Sequence, residues 1–369
     1  MKENLVQLHH DVCFKPDNKK IIWQPRIGCW VEDHISRDGD LPGIYKGMTR
    51  PELYRELGCS ARIYAFNSCF VRTEHPDVKY SMEEIDGRRE LHTVKTPIGS
   101  ISCIMRTNTS NKGKYYEKWY VNNEEELKIL EWVDSRARWS FDMDLFNEIG
   151  EEWKGLGAPC MYLPRIGIQH LYIRGMGFIN TSYALADYPK SVKKYCEALE
   201  YNQEGLIEVI NESPIDIINY GDNLHDGYLR PDIFEEYVLP VYQRRGDLLH
   251  KGGKFTYSHW DGDVKRILHY AKDCNLDGIE AITPIPQGDV TLAEAKEAMG
   301  DMYMVDGIAA ILFDDIYTEE QLLEQTREVI DLFAPNLILG ISDEISSTGD
   351  IERIRLIGNL VNKYNSQFN

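Results

Sequence analysis

Three features of the sequence predict an α/β chain closed into a TIM (β/α)8 barrel with an N-terminal β-rich insertion. Short apolar strands alternate with amphipathic helices over the C-terminal two thirds, the pattern of parallel strands buried on both faces. The length, 369 residues, suits one barrel domain spanning 1–369. No G-x-G-x-x-G follows a strand, and neither a P-loop nor G-x-S-x-G occurs, which argues against nicotinamide, ATP and the common serine hydrolases.

The units follow in order. Residues 20–28 begin an N-terminal unit, and residues 161–166 supply a further strand. Residues 215–222 (IDIINYGD) read as a strand, followed by a helix with Pro231 in its first turn and running toward His250. Residues 254–259 (KFTYSH) are the next strand. Val264, Ile267, Leu268 and Ala271 then share one face of an expected helix over 264–274. A strand at 278–283 leads to a helix over 292–299, entered through Thr291 with Glu294 three residues on, a capping box. A strand at 303–308, a helix over 319–333, a strand at 337–342 and a helix over 351–364 complete the series. Residues 60–120 break the rhythm. Alternating stretches at 78–82, 90–93 and 100–105, with a turn at 97–99, predict antiparallel β-hairpins inserted near one mouth of the barrel.

Sixty acidic against 41 basic side chains give a formal charge of −19, and that field repels phosphates. Nucleic acid and anionic membrane surfaces are therefore poor partners. The longest apolar stretches, 308–313 and 337–341, fall far short of the roughly 20 residues a membrane span needs. The N-terminus lacks the basic head and apolar run of a secretion signal. The eight cysteines are scattered, with no C-x-x-C pair, so reduced thiols and a cytoplasmic location are expected.

Active groups of such a barrel lie at the C-terminal ends of its strands. Those ends carry Arg165, then Asp222, Asn223, His225 and Asp226, then His259, Trp260 and Asp261, then Glu280, Asp306, Asp343 and Glu344. His259 and Asp261 stand two apart, and Glu280 ends the neighbouring strand. An imidazole with one or two carboxylates makes a reasonable ligand set for a catalytic zinc with an open position. The other reading has Asp261 capping the following helix and His259 as a hydrogen-bonded base or core group. In GDNLHDG (221–227), Asp222, Asn223 and His225 can orient a substrate or serve as acid and base, with turn chemistry the alternative for Asp226 and Gly227. Trp23, Trp30 and Trp260 suit either an aromatic pocket or the core, and Arg26, Arg165 and Arg174 can hold a carboxylate. Trp30, Arg165 and Trp260 form the expected substrate-binding set.

Three blocks resemble the uroporphyrinogen decarboxylase superfamily, which includes corrinoid-dependent methyltransferases. They are GDNLHDGYLRPDIFEEYVLP (221–240), the run from FTYSHWDGD through LDGIEAITPIPQGDVTLAEAKEAMGD (255–301), and LILGISDEISSTGDIERIRLIGNLV (337–361). With the weaker LADYPKSVKKYCE (185–197), the resemblance covers most of 160–369 and implies a TIM barrel. Decarboxylases of the superfamily carry an arginine-containing stretch of the form MRQAGRYLPEY that binds substrate carboxylates, where this chain has WQPRIGCW (23–30). Its thiol methyltransferases bind zinc through His-x-Cys and a later Cys. Here His259 matches the histidine, Asp261 replaces the first cysteine, and no cysteine occurs around 340–343.

Oxygen ligands leave a harder metal, better suited to polarising an ether oxygen. The resemblance therefore implies a methyltransferase on the methyl-donor side, taking a methyl group from a small compound, an aromatic O-methyl donor among the options, to cob(I)alamin. The chain lacks the D-x-H-x-x-G signature of a corrinoid domain, so the cobalamin would arrive on a separate corrinoid protein docking over the barrel mouth. His259 and Glu280 would hold the zinc with Asp261 as a third ligand, while Asn223 and His225 orient or protonate the leaving group. The alternative within the superfamily is a decarboxylase-like lyase that needs no metal and uses Asp222 with an arginine. A non-enzymatic binding protein on the same barrel is a third class.

Overall fold

The computed structural model describes residues 4–109 and 113–368. Its strands are β1 (Ile22–Trp23), β2 (Phe70–Thr73), β3 (Lys79–Asp86), β4 (Arg89–Thr96), β5 (Gly99–Thr107), β6 (Lys114–Lys118), β7 (Arg138–Phe141), β8 (Cys160–Leu163), β9 (Ile217–Tyr220), β10 (Phe255–His259), β11 (Gly278–Glu280), β12 (Tyr303–Ala309) and β13 (Leu337–Ser342). Seven of them form one parallel sheet in the order β1-β13-β12-β11-β10-β9-β8. In a flat sheet β8 and β11 would stand about 14 Å apart. Tyr162 on β8 nevertheless donates its hydroxyl to Glu280 on β11 at 2.9 Å, so the sheet curls into a half-barrel.

Residues 59–63 lie between the two edge strands. Ser60 donates its N–H to the Trp23 carbonyl (2.9 Å) and Ala61 to the Leu156 carbonyl (2.7 Å), without forming a paired strand. Among the described residues, the sheet has seven strands, and the eighth that a closed barrel needs is not formed.

Alternation along each strand sorts side chains into an inner and an outer set. The lowest inner layer is apolar. Ile22, Cys160, Ile217, Phe255 and Ile338 pack there against Leu8, Val12 and Cys13 of the helix Leu5–Phe14, which plugs the N-terminal end. One step up, the inner positions turn polar: Gln24, Tyr162, Asn219, Glu280 and the backbone of Gly340. Asp306 joins them by breaking the alternation. It takes φ 77° on β12, which brings both Val305 and Asp306 to the interior. Such a left-handed residue costs roughly 1–2 kcal/mol unless its surroundings hold it, and it concentrates at functional sites.

Gly340 faces that carboxylate so closely that a Cβ would lie 2.2 Å from Asp306 Oδ1 and 2.9 Å from the Gln24 carbonyl. Gly340→Ala is expected to lower stability by about 1–3 kcal/mol through overpacking against rigid partners, read as a fall in the urea midpoint.

The outer helices follow the sequence where their ends are capped. Thr291 with Glu294 and Thr318 with Gln321 make reciprocal capping boxes, starting Leu292–Met299 and Glu319–Phe333 at the expected residues. The helix expected over 264–274 is a correction. Its apolar face is buried, but the N–H groups of Val264 and Lys265 go to the Asp289 carboxylate and that of Arg266 goes to Asp226. Only the 3-10 stretch Leu268–Asp273 remains. After Pro231 the chain passes through a π turn, Phe234–Val238, before the helix Leu239–Lys251, because Pro240 offers no N–H to a regular ladder.

Strands β3, β4, β5 and β6 pair as a four-stranded antiparallel sheet that contains the expected hairpin stretches, while β2 pairs separately with β7. All eight cysteines are free thiols. Among the described residues, no helix is long and apolar enough to cross a membrane.

Candidate active site

His259 ends β10 and opens toward the C-terminal mouth. Its Nδ1 donates to Glu280 Oε2 at 2.9 Å, and its Nε2 lies 3.7 Å from Asp261 Oδ1. One ligand atom each from His259, Asp261 and Asp343 lie within 4.8 Å of one another, the arrangement of groups that can share a cation. Glu280 is not in this group. It is fully buried, and its two oxygens are taken by Arg62, Tyr162, Asn219 and His259. Of the residues expected as ligands, His259 and Asp261 come together with Asp343 beside them, whereas Glu280 stands behind the imidazole.

Arg62 is the centre of the charge network under the mouth. It reaches Glu280 in a short contact, Asp306 Oδ1 at 2.8 Å and Gln24 Oε1 at 3.2 Å, with its side chain only 1% exposed. Burial alone would raise the Glu280 carboxyl. The charge of Arg62 and the hydrogen bond from His259 hold it well below the usual range. For Asp306, burial wins: it is pushed up to about 6, with the neighbouring Glu280 charge adding to the shift and Arg62 opposing it. Arg26 pairs with Asp343 at 2.7 Å and with Glu344 at 3.4 Å. Two arginines therefore face Glu280, Asp306, Asp343, Glu344 and, beside His259, Asp261.

A uroporphyrinogen decarboxylase family model matches residues 171–364, more than half of the chain and all of the strands that end at this mouth except β1 and β8. The chain belongs to the uroporphyrinogen decarboxylase family. Among solved structures it is similar to a methyltransferase from Methanosarcina mazei at 12% identity and a TM-score of 0.58, covering 97% of this chain and 98% of that one. It also matches a B12-independent methionine synthase from Shewanella sp. W3-18-1 at 11% identity and a TM-score of 0.46, covering 85% of each chain. The first of these likenesses concerns the fold alone. No curated protein sequence matches the chain.

On this uroporphyrinogen decarboxylase scaffold, several expected site residues sit away from the mouth. Asp222 is fully buried, accepting from the Ile166 N–H and the Tyr242 hydroxyl, both at 3.0 Å, so it braces two elements and is closed to a ligand. The lyase alternative loses its acid with that placement. Trp30 is core: its ring packs on His34 (4.4 Å) and Tyr45 (6.3 Å). Trp260 is also buried, against Phe234 at 5.7 Å. Asp261 caps no helix.

Asn223 and His225 are half-buried. Asn223 Oδ1 accepts from Arg165 at 3.1 Å, and the His225 ring lies so near Gly262 that a Cβ there would come within 2.9 Å of it. The 221–227 loop thus meets the loop that follows His259. Arg165 and Arg174 line a cavity, whereas Arg26 is committed to Asp343 and Glu344. Arg62, Asn219 and Tyr162 were not read from the sequence. The available signal was one arginine inside the apolar run CSARIYAF (59–66), where an unpaired charge has no business.

Proposed function

We propose that this chain is a metal-assisted methyltransferase that takes a methyl group from a small O-methyl donor to the cob(I)alamin of a separate corrinoid protein, in the cytoplasm. The observation that supports it most is the meeting of His259, Asp261 and Asp343 at the mouth, with Glu280 fixed to the far nitrogen of the imidazole. We read residues 59–63 as the eighth stave of a TIM barrel and β3–β6 as an insertion beside its mouth.

The residues present fit a divalent cation such as zinc. One imidazole and two carboxylates are a mixed nitrogen and oxygen donor set, and the acids around the mouth outnumber Arg26 and Arg62. His259, Asp261 and Asp343 would hold the ion, which when bound supplies Lewis-acid polarisation of the donor oxygen. Glu280 accepts the Nδ1 proton of His259 and so presents Nε2 to the site. Asn223, steadied by Arg165, orients the donor, and His225 delivers the proton that the leaving oxygen takes up once its methyl is gone.

Elemental analysis and methyl-transfer assays test this together. The wild-type chain should carry roughly one equivalent of divalent metal, lost in His259→Ala, and should methylate free cob(I)alamin from an aryl methyl ether. A wild-type chain that is blank in both measurements ends the reading.

A further inference from the structure

A cavity of about 490 Å³ lies between the antiparallel sheet and the end of β8, lined by none of His259, Asp261 and Asp343. Its volume is that of a small-ligand pocket. One wall is aromatic: Tyr80, Tyr116 and Tyr120, with Tyr116 stacked on Trp119 at 4.1 Å. The lining also carries Arg165, His170 and Arg174, together with the Asp134 carboxylate, which is held by Arg72 and Tyr195. Among the described residues, the Arg165 side chain binds the Asn223 amide oxygen and Arg174 makes no ion pair. Two guanidinium groups without acid partners, in a chain with 60 acidic side chains, leave charge available for an anion.

His170 is set by a relay. Arg72 holds Asp134 at 3.0 Å, the Tyr195 hydroxyl donates to Asp134 at 2.9 Å, and His170 Nδ1 meets that same hydroxyl at 2.5 Å. Because Tyr195 spends its proton on Asp134, it can only accept from His170. The proton of the neutral ring therefore sits on Nδ1, and Nε2 is left as an acceptor on the residue that lines the cavity. Burial lowers the pKa of His170, Arg72, Arg174 and Arg165 add to that shift, and Asp134 opposes it, all of which favours the neutral ring.

We propose that this cavity binds a planar aromatic anion bearing a ring hydroxyl. The acid group lies on Arg165 and Arg174, the ring lies against the tyrosine wall, and the hydroxyl donates to His170 Nε2. This binding needs neither metal nor corrinoid, so it stands or falls separately from the methyl-transfer reading.

Calorimetric titration of the full chain with benzoate, 3-hydroxybenzoate and 4-hydroxybenzoate tests it. One hydroxybenzoate should bind about tenfold more tightly than benzoate, the worth of one well-made hydrogen bond in a desolvated site. His170→Phe should abolish that preference by weakening the hydroxybenzoate alone. Tyr195→Phe, which frees Nδ1 but keeps the imidazole, should reduce the preference while leaving benzoate affinity unchanged. The proposal is overturned if none of the acids binds at millimolar concentration, if hydroxybenzoates bind no better than benzoate, if the preference survives in His170→Phe, or if it is undiminished in Tyr195→Phe.

Discussion

Arg62→Met is expected to destabilise the fold by about 3–5 kcal/mol at pH 8, the scale on which breaking a buried ion pair from one side is felt. The guanidinium binds Glu280 and Asp306 in a region closed to water, and methionine matches its stem but leaves both carboxylates without a cation. The two acids can escape the penalty only by binding protons, which gives the effect a pH dependence of known sign. Asp306 already sits at about 6 with the arginine in place, and removing Arg62 raises it further. A carboxyl raised in the folded state favours folding below its unfolded pKa and loses that advantage as pH rises through the folded value. The gap between variant and wild type should therefore widen from pH 5 to pH 8 in urea unfolding. Arg62→Lys keeps the charge without the planar fork and should fall between the two. A loss under about 1 kcal/mol at pH 8, or a loss independent of pH, would show that this network is not held by its arginine.

The same network explains which parts of the molecule were legible in the sequence. Helices Leu292–Met299 and Glu319–Phe333 and strand β13 were readable because local chemistry decides them: a capping box or an unbroken apolar run acts within a few residues. The helix expected over 264–274 failed because its first N–H groups are claimed by Asp289 and Asp226 from other loops, which no local pattern contains. His259 and Glu280 were readable as neighbours because parallel strands in register place strand ends side by side, and His259 indeed pairs with Glu280 across β10 and β11. Which of them faces the mouth was not readable. That depends on Arg62, which comes from the irregular segment 59–63, and on Asp343, which closes the group from the far end of the chain. Trp30 shows the converse error. Its helical spacing with Ile27, Val31 and His34 describes a buried face, and a large aromatic on such a face packs before it binds.

Glu280→Gln is the substitution that separates a carboxylate behind the ligand from one bound to the ion. If His259, Asp261 and Asp343 hold the metal, the amide keeps all three and changes only what stands behind the imidazole. His259 Nδ1 then donates to a neutral oxygen, Nε2 becomes less basic, and metal affinity should fall 10- to 100-fold without vanishing, measured against a competing chelator. With its oxygen kept on His259 and Asn219, the amide turns its donor toward Arg62, which also donates, so stability should drop by about 1–3 kcal/mol. Tyr162→Phe gives the control, because it deletes one hydrogen bond to the same carboxylate but leaves its charge against His259. Its metal affinity should stay near that of the wild type. Complete metal loss in Glu280→Gln, equal to that in His259→Ala, would restore Glu280 as a ligand and displace Asp343. Unchanged affinity would mean that the ion, if one binds, does not depend on His259 being held by this acid.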